Sequence, residues 1–531
     1  MSYDVVFENA RIIDGTGSPW YRGEVAVNDG QLKAIGRVDD DAETVVNVDG
    51  NVIAPGFIDI HTHSDFTLPA NRDAHSKVRQ GVTLEIIGNC GTSAAPRYGS
   101  SDQAIDDWFA SNGLGEEVDT SEWESMADYF DFLERDGLSL SVGSLVGHGN
   151  VRAAIIGYED RAPTTNELNE MQTLVAEAME NGAVGLSTGL FYPPGCYAET
   201  DEVVALAEVA AEYGGIYATH MRSESDNLIE SVEETLEIGR RAGIPVQVSH
   251  HKAIGPKNWG KVRYTLRRME FARERDGIEV QCDQYPYIAS STSLGALLPN
   301  WAHDGGDDAL IQRLLDREER SRIREELTTD RTSDWDGILV TNVQNPDLRE
   351  YQGKTIADIA DHDDDNRSPA EILLDIVLED KNRAMHVNFG MDEDDVEYVM
   401  RHDLTMVGSD GSSLCPCGSL GEGVPHPRNY GTFPHVLGKY VREKEVISLE
   451  KAIHKMTGMP AARLGIDNRG ILKRGARADL AIFDPEAIHQ PGDFLDPAVY
   501  PAGIEYVVVN GEFVVRDGEH TGARPGEVIR Q

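Results

Sequence analysis

The sequence predicts an α/β protein: a (β/α)8 TIM-type barrel with a small β-sandwich domain formed by both termini and an insertion between strands seven and eight. Three observations support this fold class. Apolar, strand-like runs alternate with helical segments through the middle of the chain. Several of these runs end in residues that can bind a metal ion or move a proton. Both termini are rich in short strands and turns.

Eight strand-like runs can be read in the middle of the chain. They lie at 53–63, 82–90, 140–148, 183–190, 216–221, 244–250, 278–285 and 404–410. Helical patterns separate most of them, and the clearest runs from Leu168 to Asn181 behind a capping box between Thr164 and Glu167. Strands that alternate with helices are typical of a parallel sheet, and eight such units close into a barrel whose active site forms at the carboxyl ends of the strands.

The two ends of the chain have a different pattern. Residues 1–52 and 470–531 contain short β-rich runs separated by turn sequences such as Asp29-Gly30 and Asn510-Gly511. We therefore predict that these two segments form one small β-domain and that residues 53–469 form the barrel. Residues from about 288 to 403 interrupt the barrel pattern, and we predict that they form a lid or a wall of the pocket.

The composition is strongly acidic. The 531 residues include 48 Lys and Arg against 92 Asp and Glu, which gives a net charge of −44 and a pI of about 4.6. Such a surface repels nucleic acid and anionic membranes, so neither is expected as a partner. The N-terminus does not resemble a signal peptide, and no apolar run reaches the ~20 residues of a membrane span. We predict a salt-adapted, cytoplasmic protein.

The five cysteines do not indicate a disulfide framework, because they are few and odd in number. Cys415 and Cys417 are separated by a single proline, and we predict that they lie in a loop. Cys196 and Cys282 are interpreted as packing residues. Only Cys90 stands at the end of a predicted strand in a polar setting, between Asn89 and Gly91.

Potential metal ligands and a carboxylate stand at the ends of five predicted strands. They are His61 and His63 on the first strand, Cys90 on the second, His220 on the fifth, His250 on the sixth and Asp410 on the eighth. A single buried histidine is usually a hydrogen-bonded core residue. Five such strand ends that meet at one edge instead predict a metal site.

The residue types indicate zinc and amide hydrolysis. Cys90, His220 and His250 would form a three-ligand site with one open position, which is typical of catalytic zinc. The two histidines of the first strand could hold a second metal, with Cys90 as the bridge. Asp410 would accept a proton from an activated water molecule and deliver it to the leaving group.

Six short motifs coincide with these strand ends and with the segment that follows the eighth strand. They are Pro-Gly-Phe-Ile-Asp-Ile-His-Thr-His at 55–63, Gly-Asn-Cys-Gly at 88–91, Ala-Thr-His-Met-Arg at 218–222, Val-Ser-His-His-Lys at 248–252, Gly-Ser-Asp-Gly at 408–411 and His-Pro-Arg-Asn-Tyr-Gly-Thr-Phe at 426–433. Together they resemble the amidohydrolase superfamily and, within it, the D-aminoacylase (N-acyl-D-amino-acid deacylase) family. The resemblance covers nearly the whole chain.

The resemblance implies a zinc-dependent deacylase that cleaves small N-acyl-D-amino acids to a carboxylate and a free D-amino acid. The tight Zn²⁺ ligands would be Cys90, His220 and His250, the two histidines of the first strand would face a weaker site, and Asp410 would be the general base and acid. The residues expected to line the substrate pocket are Tyr192, Lys252, Tyr287, Ser290 and Arg428. Lys252 and Arg428 suit the free carboxylate of such a substrate.

Three alternatives stay open at this point. A cyclic amidase of the hydantoinase or dihydroorotase type resembles the same scheme, but it bridges two metals with a carbamylated lysine on the fourth strand, and residues 183–190 contain no lysine. A deacylase specific for N-acyl-D-aspartate or N-acyl-D-glutamate would use the same site. A non-catalytic scaffold is the third, and it is disfavoured because all five strand ends carry functional residues. The sequence predicts no particular oligomeric state.

Overall fold

Parallel strands form the centre of the computed structural model, which describes residues 2–329 and 333–530. In chain order these strands are Phe57–Asp59, Val82–Ile87, Ser141–Ser144 with Val146–Gly147, Gly185–Gly189, Ile216–His220, Val246–Val248, Val280–Gln284 and Thr405–Val407. We number them one to eight; strand three comprises the two short segments on either side of Leu145. All eight lie within the runs that the sequence predicts, and each is shorter than its run. In strands two, six and eight the site residue lies beyond the strand, whereas His220 is the last residue of strand five.

Hydrogen bonds join these strands in sequence order. Strands one to three pair in parallel, and so do strands three to eight. A parallel bridge between Thr62 and Gly411 links the end of strand one to the end of strand eight. The amide of Asp410 also donates to the carbonyl oxygen of His61 at 2.8 Å. The carboxyl ends of the first and last strands are therefore held side by side.

Amphipathic helices cover the parallel strands. They include Thr165–Glu180, Thr200–Glu212, Leu228–Ala242, Lys261–Phe271 and Glu393–Arg401. In the first of these the predicted capping box is present, since the Thr164 hydroxyl accepts from the Glu167 amide. Its buried face carries Met171, Val175 and Met179, spaced four residues apart. None of the helices within the described ranges has the length and apolar character that a membrane crossing requires.

The two ends of the chain share one sheet. Its strands are Tyr3–Ile12, Tyr21–Asn28, Gln31–Gly36, Ala42–Asn47, Val52–Pro55, Leu480–Phe483, Ile504–Val509, Glu512–Arg516 and Glu519–His520. Val52–Pro55 is the junction, because it pairs with Tyr3–Ile12 on one side and antiparallel with Leu480–Phe483 on the other. The N-terminal and C-terminal strands are therefore hydrogen-bonded through this segment.

The predicted first strand, 53–63, is divided between the two sheets. Val52–Pro55 belongs to the sheet of the termini, and Phe57–Asp59 is strand one. The break falls at Gly56, whose amide donates to the Asp479 carbonyl at 2.8 Å. A Cβ atom on Gly56 would stand 2.2 Å from the Thr83 side chain, so only glycine fits where the chain passes from one sheet to the other.

The insertion has its own apolar core. A three-stranded antiparallel sheet of Ser290–Ser293, Met385–Asn388 and Ile338–Asn342 packs with helices between 307 and 379. The helix Glu393–Arg401, which falls inside the predicted 288–403 insertion, instead buries Val396 and Val399 in the main core. The buried residues of the separate apolar core therefore lie between Leu294 and Ala384.

Cys415 and Cys417 are joined by a disulfide. The predicted loop is present, but the disulfide was not predicted: the turn at Pro416 brings the two Cα atoms to 5.2 Å, which is within the range of a disulfide. The loop packs against the segment after strand one, where the Leu414 amide donates to the Ser76 hydroxyl. Cys90, Cys196 and Cys282 are free.

Candidate active site

The predicted metal ligands converge at the carboxyl ends of the parallel strands. The Cys90 Sγ atom lies 3.4 Å from Nε2 of His61 and 3.4 Å from Nε2 of His250. One ligand atom from each of these three residues and from Asp410 falls within 4.8 Å of the others. All four side chains are buried. Residues up to 349 positions apart in sequence thus meet at one point, because every strand delivers its end to the same edge.

The spacing of these atoms fits a tetrahedral metal site. With Zn–S of about 2.3 Å and Zn–N of about 2.0–2.1 Å, a sulfur and a nitrogen ligand stand about 3.5 Å apart. The two distances from Cys90 Sγ are close to this value. The ring of His220 lies edge-on to that of His250, with centroids 4.5 Å apart. Its buried Nδ1 has no hydrogen-bond partner among the described residues, and a metal ion would provide one.

Cys90 is held as a thiolate. Burial by itself would raise the pKa of the thiol, but the positive charges of His61 and His250 and hydrogen bonds from His220 and His250 outweigh burial. The pKa of Cys90 therefore lies well below its ordinary value. Thiolate, and not thiol, is the metal-binding form of cysteine, so the surroundings prepare this residue as a ligand.

Three of the site residues have a left-handed backbone. The φ angles are +53° at Cys90, +36° at His250 and +53° at Asp410. Non-glycine residues rarely adopt such angles, and each costs about 1–3 kcal/mol. All three stand two or three residues after the end of a strand, in the turn that brings their side chains to the strand ends. Gly91 makes room for the turn at Cys90, since a Cβ there would stand 2.7 Å from the Gly189 amide nitrogen.

Asp410 lies between histidines and an arginine. Its Oδ1 is 3.0 Å from Nε2 of His63 and 3.4 Å from Nε2 of His61, and its Oδ2 accepts from Nη1 of Arg428 at 2.6 Å. Burial alone would raise the pKa of Asp410, but the charges of Arg428 and the histidines hold it well below the ordinary value. The low pKa keeps the carboxylate ionised, which is the form that can accept a proton.

Two buried carboxylates that the sequence analysis did not single out orient the ligands. Asp283 accepts from Nδ1 of His61 at 2.9 Å and from the His250 amide at 2.7 Å. Glu224 lies 2.9 Å from Nδ1 of His250 and 3.7 Å from Nε2 of His220. Ligating histidines usually contact such an oxygen through their second nitrogen. One sequence signal could have identified Asp283: it lies at the end of the seventh strand, to which no site residue had been assigned.

The two predicted carboxylate-binding cations are present, but both have partners. Lys252 donates to Glu224 Oε1 at 2.6 Å, and Arg428 is bound to Asp410 and to the carbonyl oxygen of Ser291 at 3.1 Å. Tyr285 separates them, with its ring centroid 5.6 Å from the Lys252 ammonium and 5.2 Å from the Arg428 guanidinium. This tyrosine was not among the predicted pocket residues.

The other predicted pocket residues differ in where they lie. The Tyr192 ring packs 4.7 Å from that of His220, within the site. Tyr287 points away from the ligands: its ring stacks on His435 at 4.8 Å, and its hydroxyl is 3.5 Å from the Pro427 carbonyl oxygen. The structure thus places Tyr285, and not Tyr287, between the cations. Ser290 opens the strand Ser290–Ser293 at the edge of the insertion, next to the Ser291 carbonyl that Arg428 contacts.

A cavity of about 190 Å³ opens beside Cys90. Its walls come from the ends of strands two and four and from the helices Gly99–Ser111 and His148–Ile155. The lining includes Phe66, Cys90, Ile105, Trp108, Tyr158 and Tyr192. We call it the Trp108 cavity. Its lining includes both the buried ligand Cys90 and the exposed residue Ala104.

Comparison with known proteins gives the family. The amidohydrolase family model matches residues 44–288 and 299–515. D-Aminoacylase of Alcaligenes xylosoxydans xylosoxydans is 37% identical over 528 residues, which span 99% of this chain and 97% of that protein. The crystal structure of N-acyl-D-glutamate deacylase from Bordetella bronchiseptica, complexed with zinc and a phosphonate mimic of the tetrahedral intermediate, is 35% identical and has a TM-score of 0.84 over 100% of both chains. A crystal structure of D-aminoacylase is 34% identical, with a TM-score of 0.83 over 100% of both chains. This chain therefore belongs to the amidohydrolase family.

Proposed function

We propose that the protein hydrolyses the amide bond of N-acyl-D-amino acids and releases a carboxylate and a free D-amino acid. The observation that carries the proposal is the convergence of His61, Cys90 and His250 within 3.4 Å contacts, with the Asp410 carboxylate beside them. The relatives named above, which are similar over the whole chain, support the D configuration of the substrate.

The residues present fit a zinc ion. Cys90, His220 and His250 would hold it, and His61 and His63 would contribute to a weaker second site. When bound, zinc supplies polarisation of the scissile carbonyl and activation of a water molecule. Asp283 and Glu224 hold the rings of His61 and His250 in the orientation that ligation needs.

Asp410 would transfer the proton from the water molecule to the leaving group. It is buried and ionised, and its Oδ1 faces the histidine cluster, where the attacking water would lie. Asp410 would take the proton of that water and pass it to the leaving nitrogen, which turns an amide anion into a neutral amine. Arg428 fixes the other carboxylate oxygen, so the side chain presents one defined lone pair to the substrate.

Lys252 and Arg428 would bind the substrate carboxylate. Both already contact a buried carboxylate, so the substrate would be a further partner of each cation. Tyr285 lies between them and would pack on the amino-acid portion. Tyr192 would cover the site from the side of strand four. Tyr287 would contribute to the pocket from behind, because its ring stacks on His435 and not on a ligand. Ser290 would contribute through its position next to Ser291, whose carbonyl oxygen accepts from Arg428.

We also propose the domain division. Residues 53–469 would form a closed (β/α)8 barrel, residues 1–52 and 470–531 a small β-sandwich domain, and the insertion of about 288–403 a wall of the pocket. The parallel order of strands one to eight and the Thr62–Gly411 bridge support the closed barrel. The contact of Arg428 with the Ser291 carbonyl supports the role of the insertion as a wall.

A deacylase for N-acyl-D-aspartate or N-acyl-D-glutamate is the second candidate. Its support is that one relative at 35% identity acts, by name, on N-acyl-D-glutamate. A cyclic amidase is less well supported, because strand four, Gly185–Gly189, has no lysine to bridge two metals. Comparison of neutral and acidic D-substrates separates these possibilities.

A paired assay tests the proposed function. Zinc-loaded protein in molar salt is given N-acetyl-D-methionine and, separately, the L-enantiomer, and free amine is followed. We expect amine from the D-form alone. Amine from both forms would keep the amidase and contradict the D preference. If zinc is bound and neither form is cleaved, while N-acetyl-D-glutamate or a hydantoin is, the substrate class proposed here is wrong.

A further inference from the structure

The Trp108 cavity differs in chemistry from the rest of the site. None of the described residues that line it carries a charged side chain, apart from the ligand Cys90 itself. Phe66 and Trp108 form one wall, with ring centroids 5.0 Å apart, and Ile105 is fully buried behind them. We propose that this cavity binds the acyl chain of the substrate and makes the enzyme selective for acyl groups longer than acetyl. The inference rests on the proposed deacylase function.

The charges of the site determine which half of the substrate enters the cavity. The amino-acid half carries a carboxylate, which needs a cation when it is buried. Lys252 and Arg428, which we propose as the cations that bind the carboxylate, follow strands six and eight. The cavity walls come from strands two and four, on the other side of the ligand cluster. The carboxylate therefore points away from the cavity.

The position of Asp410 leads to the same orientation. The leaving nitrogen must lie near this residue in order to receive its proton, and Asp410 follows strand eight beside Arg428. The acyl carbon is attached to the other side of the scissile carbonyl. It therefore faces Cys90, Gly91 and Tyr192, and these three residues stand where the cavity begins.

The size of the cavity indicates a chain of several carbons. At about 190 Å³ it exceeds the roughly 150 Å³ of an apolar protein cavity that takes up benzene. An acetyl group would leave most of it unused, whereas a chain of about four to eight carbons would contact the Phe66 and Trp108 rings. The outer rim is Ala104, which is exposed on the helix Gly99–Ser111. Longer chains would reach solvent there.

The first test compares N-hexanoyl-D-leucine with N-acetyl-D-leucine. Each buried methylene is worth about fourfold in binding, and the hexanoyl chain has four more methylenes than acetyl, so kcat/KM for the hexanoyl substrate should be roughly 250-fold higher if the whole chain is buried. Equal kcat/KM values for the two substrates would overturn the inference and leave the deacylase function intact. Failure to cleave either substrate with zinc bound would overturn the proposed function and the inference with it.

The second test closes the cavity at its rim. Ala104→Trp should abolish the hexanoyl preference, measured as the ratio of kcat/KM for N-hexanoyl-D-leucine to kcat/KM for N-acetyl-D-leucine. Ala110→Trp is the matched control, because Ala110 is exposed on the same helix but does not line the cavity. A hexanoyl preference that survives in Ala104→Trp would overturn the inference. So would a loss of N-acetyl-D-leucine relative to N-acetyl-D-alanine activity in that variant, because the cavity would then hold the amino-acid side chain.

Discussion

Arg428 donates a hydrogen bond of 2.6 Å from Nη1 to Oδ2 of Asp410, and both side chains are buried. The pair joins the residue that would move the proton to a residue that would bind the substrate. Its geometry implies that substrate binding and proton transfer depend on the same arginine. The charge of Arg428 also helps to keep the pKa of Asp410 low, against the effect of burial.

Arg428→Ala should impair both functions. Removal of one partner leaves a buried carboxylate without its strongest contact, so the free energy of unfolding should fall by about 3 kcal/mol and kcat/KM by roughly 10²- to 10³-fold. Urea unfolding and steady-state kinetics measure the two effects. Arg349→Ala removes a half-exposed arginine that pairs with exposed Glu422, and it is the matched control. Unchanged kcat/KM in Arg428→Ala would exclude this arginine from substrate binding.

Asp410→Asn should separate metal binding from turnover. The amide is close in size to the carboxylate but cannot accept the proton of water, so kcat should fall by about 10²- to 10⁴-fold. Zinc content should stay near that of the unaltered protein, because Cys90, His220 and His250 are retained. Metal analysis and kinetics on the same sample provide the measurement. Asp403→Asn, at a largely exposed position, is the control, and a fully active Asp410→Asn would remove this residue from the mechanism.

Glu224→Gln should weaken zinc binding although Glu224 is not among the three proposed ligands. Its Oε1 lies 2.9 Å from Nδ1 of His250 and accepts from Lys252 at 2.6 Å. Loss of such an orienting carboxylate typically weakens metal affinity 10- to 100-fold, and competition with a chelator measures the zinc Kd. Glu230→Gln, exposed at the start of the next helix, is the matched control. An unaltered zinc Kd in Glu224→Gln would limit Glu224 to a role in placing Lys252.

The carboxyl ends of the strands could be predicted because two features of the sequence agree. Apolar runs of strand length locate the sheet, and the first polar residues after each run locate its carboxyl edge. His61, Cys90, His220, His250 and Asp410 all follow from this reasoning, and the structure brings them together. The start of the helix Thr165–Glu180 could be predicted in a similar way, from the capping box between Thr164 and Glu167.

Side-chain directions beyond the strands could not be read in the same way. Strand seven ends at Gln284, and Pro286 follows, so the alternation that would place Tyr285 and Tyr287 no longer applies. Glu224 lies in a loop, and a loop has no helical or strand periodicity from which the direction of its side chain could be predicted. The break at Gly56 was also hidden, because an uninterrupted apolar run continues from one sheet into the other.

The stability of the protein against urea should rise with the salt concentration. A net charge of −44 on 531 residues produces self-repulsion in the folded protein. The Debye length falls from about 10 Å at 0.1 M to about 3 Å at 1 M, which screens this repulsion. We therefore expect a higher urea midpoint in 2 M than in 0.1 M KCl, with sucrose of equal osmolality as a control for general exclusion effects. Equal midpoints at both KCl concentrations would contradict the predicted salt adaptation.

Ionisation of the buried Glu85 side chain should lower the free energy of unfolding as the pH rises. This residue lies on strand two with no solvent exposure, and the Ser64 hydroxyl donates to its Oε2 at 3.0 Å. Lys77 is 3.9 Å away, but its ammonium donates to Asp59, to the Ser409 hydroxyl and to the Gly411 carbonyl. An ammonium has three protons to donate, so none is left for Glu85. Its Oε1 has no hydrogen-bond partner within the described residues.

Burial therefore raises the pKa of Glu85 from 4.5 to about 7. Between these values the folded protein retains a proton that the unfolded chain has lost, so stability falls as the pH rises from about 4.5 and levels off above about 7. The fall amounts to about 3 kcal/mol. Glu85→Gln cannot ionise, so its stability relative to the unaltered protein should increase by about this amount between pH 5 and pH 8, as measured by urea unfolding. Exposed Glu116→Gln should show no such change, and a difference for Glu85→Gln that is independent of pH would mean that Glu85 is already ionised in the fold.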